Sequence, residues 1–166
     1  VDHPQLRAIR RHLAETYQVM GRHDDAEGLL IDLADEVSRD GEESLGHFLR
    51  LERTWTRIAK GPDPMTLQTI EEQAEDARVA FARRGDEQGL AQVCRVLFHV
   101  HLRRGEITET ETYAYQEIEH GRLSGSPREE LAGPLLLAIA LELGPRPVGE
   151  CIARCEEVID WRDTFN

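Results

Sequence analysis

Residues 6–37, LRAIRRHLAETYQVMGRHDDAEGLLIDLADEV, decide the architecture. Leu6, Ile9, Leu13, Tyr17 and Met20 recur at steps of three and four, which lays them along one face of a helix. Gly21 interrupts the pattern, and Ala26, Leu29, Leu30, Leu33, Ala34 and Val37 resume it as a returning helix. The stretch reads as a helical hairpin.

Glycine spacing extends that hairpin along the chain. Gly21, Gly61, Gly105 and Gly144 stand 40, 44 and 39 residues apart, and Gly41, Gly85 and Gly125 stand 44 and 40 apart. Two interleaved series near one period give four hairpins, one series falling inside them and the other between them. Leu45, Phe48, Leu49, Trp55 and Ile58 form a third stripe, and Leu67, Ile70, Ala74, Ala77 and Phe81 a fourth. In the fifth segment Val96, Phe98, Val100 and Leu102 alternate as a strand would. The helical stripe Leu90, Val93, Cys94, Leu97, Phe98 and Leu102 runs further in both directions, and a lone strand has nothing nearby to pair with. Helix is the reading.

Eight helices follow, near residues 4–20, 23–39, 43–59, 64–84, 87–104, 107–122, 127–143 and 147–161. Asp63-Pro64 predicts an N-cap with proline at the first helical position. Ser126-Pro127-Arg128-Glu129 has the spacing of a capping box, with Glu129 reaching back. Arg83-Arg84 and Arg103-Arg104 precede glycines, where cations complement a helix C-terminus, so they read as helix ends rather than phosphate sites. Gly133-Pro134 inside the seventh helix predicts a kink or a late start. Leu135, Leu136, Leu137, Ile139 and Leu141 circle that helix, which is therefore expected to be the most deeply buried.

The 166 residues fit a single domain, 1–166, able to bury roughly 70% of its unfolded surface. Twenty basic against 32 acidic residues give a formal charge of -12. That balance argues against nucleic acid, whose phosphates need a concentrated basic surface, and against anionic lipid. The longest apolar run, Leu135 to Leu141, is far short of the roughly 20 residues of a membrane span. No secretory signal opens the chain. Its first residue is Val1 rather than Met, as in a processed chain or a piece of a longer one. Cys94, Cys151 and Cys155 are too few and too scattered for a disulfide framework, and read as small packed residues in a reduced, cytoplasmic protein. Lys60 is the sole lysine, an arginine bias typical of GC-rich bacterial genomes.

With the hairpins placed, Leu13, Ala14, Tyr17, Gly21, Ala26 and Leu30 sit at the spacings of the tetratricopeptide repeat (TPR), which the chain resembles. The resemblance implies an all-α fold: a right-handed solenoid of about four antiparallel helical hairpins. Its repeats are degenerate. Thr110 and Gly149 stand where alanine is usual, and Arg57 and His101 where tyrosine is. A narrower resemblance covers residues 85 to about 160. Gly85-Asp86-Glu87-Gln88-Gly89-Leu90-Ala91, Gly144-Pro145-Arg146-Pro147-Val148 and Ile152-Ala153-Arg154-Cys155-Glu156 are similar to a repeat pair in large actinobacterial signalling proteins. Those proteins join a cyclase or DNA-binding regulator domain to an NTPase module and a C-terminal repeat region. The resemblance implies a sensing or assembly part, and none of their catalytic chemistry is carried over.

No motif for chemistry emerges. Lys60 is followed by Gly61-Pro62 rather than completing a phosphate loop, and neither Gly-x-Gly-x-x-Gly nor Gly-x-Ser-x-Gly occurs. His99 and His101, two apart on a helix, point in different directions. His3, His12, His23, His47 and His120 are scattered surface or helix-end residues. Glu71-Glu72, Glu75-Asp76 and Glu129-Glu130 read as solvated carboxylates or partners of arginine four residues away. Neither an enzyme nor a cofactor is expected.

A protein-interaction module is the leading reading. The repeat's groove positions fall on Arg11, Glu15 and Gln18, on Glu52 and Trp55, and on Gln92, Arg95 and His99. Arginine and tryptophan often anchor interfaces, although Trp55 also fits the core and Arg11 and Arg95 also fit solvated surface. Alanine at Arg95 is then expected to weaken a groove-bound partner without lowering the melting temperature. Homodimerisation through the last hairpin is the alternative, if Trp161 and Phe165 form an exposed apolar end rather than folding back. A third reading is a small-molecule or metal sensor that gathers Cys94, Cys151, Cys155 and the His99–His101 pair.

Overall fold

The computed structural model describes residues 3–59, 61 and 64–163, and those residues form eight α-helices and no strand. They are α1 (His3–Val19), α2 (His23–Asp40), α3 (Glu43–Ala59), α4 (Pro64–Arg84), α5 (Glu87–Arg104), α6 (Ile107–Ser124), α7 (Pro127–Leu143) and α8 (Val148–Asp163). Every expected helix is present, the Val96–Leu102 segment included, with ends within two residues of the sequence reading. None of the described helices is long and apolar enough to cross a membrane.

The glycine series marks where helices stop. Gly21, Gly41, Gly61, Gly85, Gly105 and Gly125 all have positive φ. At Gly105, φ 75° turns the backbone N–H back onto the carbonyls of His101 and Leu102, a left-handed cap that a Cβ would strain. Gly144 breaks the series with φ -80° and ψ 167°. Pro145 follows it, and the proline ring forces the preceding residue into extended backbone.

The chain gathers into two compact units, Val1–Ala77 and Arg78–Asn166, divided within α4. In the first, Ala14, Leu30, Leu33, Val37 and Leu49 form the core, with Leu29, Ala34 and Leu45 against it. Ala14 and Ala26 are wholly buried, small side chains that let α1 and α2 approach. The apolar stripe of α1 does not face this core: Leu6, Ile9 and Leu13 are exposed. The inward positions go to Ala14 and Arg7, and the sequence expectation for this helix is corrected accordingly. Arg7 is held there by carboxylates. It donates to Glu36 (2.8 Å), Glu42 (2.7 Å) and Asp40, while Arg10 shares Glu36 at 2.8 Å. The bonds to Asp40 and then Glu36 push the Arg7 guanidinium pKa above its ordinary value, and those from Arg7 and Arg10 hold the Glu36 carboxyl below its own.

In the second unit Phe98, Ala114, Leu136, Leu137, Ala140 and Leu141 form the core, and Cys151, Cys155 and Val158 of α8 pack against it. The most buried helix is α5, not α7, because Leu131, Leu135 and Leu143 of α7 face outward. Nor does α7 start late, since it runs from Pro127 through Pro134. Gly133 has another purpose. A Cβ there would lie 2.7 Å from the Ile118 nitrogen, and one at Gly121 would lie 2.7 Å from the Glu129 carbonyl oxygen. Two glycines thus let α6 and α7 cross backbone to backbone. Ser126 precedes α7 as expected, but its side chain makes no cap bond; the Glu129 side chain turns into the core, and the Ser126 nitrogen donates to Ser124 Oγ instead. A side-chain cap does form at Asp86, whose Oδ1 accepts from the Gly89 nitrogen at 2.9 Å. Asp63 lies outside the described residues.

Candidate interaction surface

In the first unit the predicted groove residues Arg11, Glu15, Gln18 and Glu52 come together. Arg11 Nε donates to Glu52 Oε1 at 3.0 Å, its Nη2 lies 3.6 Å from Glu15, and its guanidinium lies 4.0 Å over the Phe48 ring. Gln18 Nε2 donates to the Glu52 carbonyl and to Thr56 Oγ1, both at 3.1 Å. These bonds tie α1 to α3, and Glu52, only 4% exposed, is buried in that contact rather than presented to a groove as expected. Beside them opens a cavity of about 230 Å³ over Leu33, Val37, Leu45 and Leu49, with Arg7 and Arg11 on its α1 side. Both cations are already held by carboxylates, which leaves an apolar hollow. The Trp55 side chain lies outside the described residues.

In the second unit Gln92, Arg95 and His99 follow one another along α5. Arg95 is not a solvated groove residue. Its side chain is 18% exposed and its Nη2 reaches Glu117 of α6 at 3.2 Å and Glu129 of α7, carboxylates only 0% and 1% exposed. One guanidinium is thus shared between two buried carboxylates. Burial pushes the Glu117 carboxyl up to about 7, against the opposing pull of Arg95's charge and hydrogen bond. Its Oε2 has no hydrogen-bond partner among the described residues. Burial first, then the charges of Arg95 and Arg103, push His99 down to about 4. His99 is accordingly neutral at pH 7. Gln92 is only 6% exposed and offers a partner little surface.

The Glu117 shift carries a pH dependence with a definite sign. In the unfolded chain this carboxyl releases its proton near 4.5, whereas in the folded chain it holds it to about 7. Between those values the folded state binds more protons, so the group's contribution makes stability fall as pH rises, levelling above 7. Glu117→Gln is expected to remove that slope. Urea unfolding of both proteins at pH 5, 6, 7 and 8 reads it, and a difference between them that does not change with pH would refute the raised value.

His99 and His101 diverge, as two-residue spacing on a helix requires. His101 is buried, with Nδ1 2.6 Å from Glu106 and its ring stacked on Tyr113 at 5.1 Å. Thr110, another departure from the repeat's pattern, is wholly buried, and its hydroxyl donates to the Glu106 carbonyl at 2.8 Å. Cys94 is buried, 3.9 Å from Gln116 Oε1, while Cys151 faces the Leu141 carbonyl at 3.4 Å. Among the described residues no group of three His, Cys, Asp or Glu is placed to hold a metal. Trp161 and Phe165 have side chains outside the described residues.

A row that the groove reading missed lies on α7. Leu131 and Leu135 are 58% and 63% exposed, and Ala138 is exposed on the same face. Gly105 and Gly144 fix the register between these hairpins at 39 residues, and Leu131 and Ala138 lie one such step beyond Gln92 and His99. The signal was present in that register, but the apolar content of α7 pointed to burial instead. Compared with protein-family models, with curated proteins and with solved structures, the chain matches none.

Proposed function

We propose that the chain is a non-catalytic protein-interaction or regulatory scaffold module of a bacterial signalling protein. In this reading its hairpins form a right-handed, TPR-like solenoid in the cytoplasm. The first helices of the hairpins bind a protein or peptide partner, or another domain of the parent protein. The observation that carries it is the exposed row on α7, in which Leu131 and Ala138 fall at the groove register and exposed Leu135 lies between them. Leucines left in water on one helix face mark a contact surface more often than an accident of packing. The apolar hollow beside Arg11 adds a place for a partner's side chain. Arg95 serves this surface by fixing α5, α6 and α7 rather than by touching the partner.

A photo-crosslinking residue placed at Leu135, with another at exposed Asp32 of α2 as control, tests the reading in cells. A discrete adduct with one protein is expected from Leu135 and none from Asp32. Once that protein is purified, Leu135→Asp is expected to weaken binding about tenfold or more, as loss of an apolar anchor does, with helicity unchanged. Equal labelling from both positions would overturn the assignment.

A further inference from the structure

The hollow of the first unit has an apolar floor and an acidic edge. Asp40-Gly41-Glu42 joins α2 to α3, and Gly41, with φ 73°, turns the chain there in a left-handed cap. The turn presents two carboxylates, and both accept from Arg7 of α1, which lines the hollow with Glu42. Each gives Arg7 one oxygen and stays about half exposed, Asp40 at 52% and Glu42 at 48%. Followed through its ion pairs, the network sets Arg7, Arg10 and Arg11 against five carboxylates, those of Glu15, Glu36, Asp40, Glu42 and Glu52. Negative charge is in surplus. Arg7 directs Nε to Glu36, Nη1 to Glu42 and Nη2 to Asp40, so each of its nitrogens already serves a carboxylate. An incoming anion would find that cation taken and meet the surplus acids. An incoming cation would meet two half-exposed carboxylates.

Size narrows the occupant further. An apolar cavity of about 150 Å³ accepts a benzene ring, so about 230 Å³ over Leu33, Val37, Leu45 and Leu49 takes one group of that order. The hollow is open to solvent on one side. A free small molecule would leave part of its surface in water there, whereas a polypeptide delivering a side chain lays its own backbone over the opening. We infer that the hollow receives a leucine or phenylalanine side chain from a basic segment of a partner protein, with a neighbouring lysine or arginine of that segment meeting Asp40 and Glu42. The inference rests on the protein-interaction reading and names the partner's chemistry at this one place.

NMR titration of the chain with the peptide acetyl-Arg-Leu-Phe-Arg-amide tests it. Shifts are expected at Leu33, Val37, Leu45 and Leu49 and at the Gly41 turn. Acetyl-Glu-Leu-Phe-Glu-amide is expected to bind at least about tenfold more weakly, because like charges meet at the edge. Acetyl-Arg-Ser-Ser-Arg-amide, which has the charge without the apolar group, is expected to leave the four floor residues unshifted. Ala8→Phe, at an exposed position on the wall of the hollow, is expected to fill it and abolish binding with helicity and melting temperature unchanged. Asp40→Asn with Glu42→Gln keeps an oxygen for Arg7 at both positions, and is expected to bring the basic and acidic peptides to within about twofold of each other. Equal binding of those two peptides by the wild-type chain, or shifts that Ala8→Phe leaves in place, would overturn the inference. So would n-hexylammonium binding as tightly as the basic peptide, which would give the hollow to a free apolar amine. A Leu135 adduct without a response in the hollow refutes this inference alone. A response in the hollow without that adduct refutes only the α7 row.

Discussion

Arg95→Ala is expected to destabilise the protein by about 3–5 kcal/mol, the usual cost of leaving a buried charge without its counter-ion. Two carboxylates at 0% and 1% exposure would then face each other without the guanidinium between them. The wild-type cluster itself adds little net stability, since desolvation of three charges offsets most of their attraction. Replacing the whole cluster, with Arg95→Met, Glu117→Gln and Glu129→Leu together, is therefore expected to recover most of the loss. Urea unfolding of the single and triple variants measures both. A single-variant loss under about 1 kcal/mol, the range of exposed pairs, would show that Arg95 is solvated, as its sequence alone suggested.

Gly133→Ala and Gly121→Ala come next in size. At each position the added methyl meets main chain: the Ile118 nitrogen in one case and the Glu129 carbonyl group in the other, both at 2.7 Å. A flexible side chain could swing aside, but here a helix must move. Each variant is expected to lose about 2–3 kcal/mol, the upper part of the range for overpacking. Gly28→Ala is the internal control. It lies within α2 with nothing inside 4 Å of the added atom, and is expected to gain roughly 0.5–1 kcal/mol from the better helix propensity of alanine. Thermal unfolding of the three variants decides the matter. If Gly133→Ala behaves like Gly28→Ala, α6 and α7 do not cross so closely.

The helices were legible because their signals are local. Steps of three and four define each stripe, and left-handed glycines fix the stops. What periodicity does not contain is the neighbour. The stripe of α1 was read correctly as a helix face, yet the helix packs through Ala14 and Arg7 and leaves Ile9 in water. Glu129 shows the same limit. Three residues from a serine it reads as half of a capping box, but its partner is Arg95, 34 residues earlier in the chain. Glu117 carried a weak trace, an acid among Ala114, Ile118 and Gly121, which only a neighbouring cation could explain. Of the candidate surface, the Arg11, Glu15, Gln18 and Glu52 grouping followed from repeat register, whereas the depth of Arg95 and Gln92 did not. The outward row of α7 went unread because apolar content was equated with burial.

The crossing of α6 and α7 also restricts how this sequence can drift. Glu117 Oε2 lies where a side chain at Gly133 would begin, and the main chain of Glu129 occupies the space beside Gly121. Room and charge are thus held by the same few atoms. A change that widens the crossing would let water reach the carboxylates, and one that removes a carboxylate would open the space the glycines keep free. Substitutions at Arg95, Gly121, Glu117, Glu129 and Gly133 therefore do not add up independently. A replacement harmful in the present background becomes acceptable only after another member of the five has changed. Descendants of this chain would have to cross from a charged, glycine-lined crossing to a wider apolar one in a restricted order of steps.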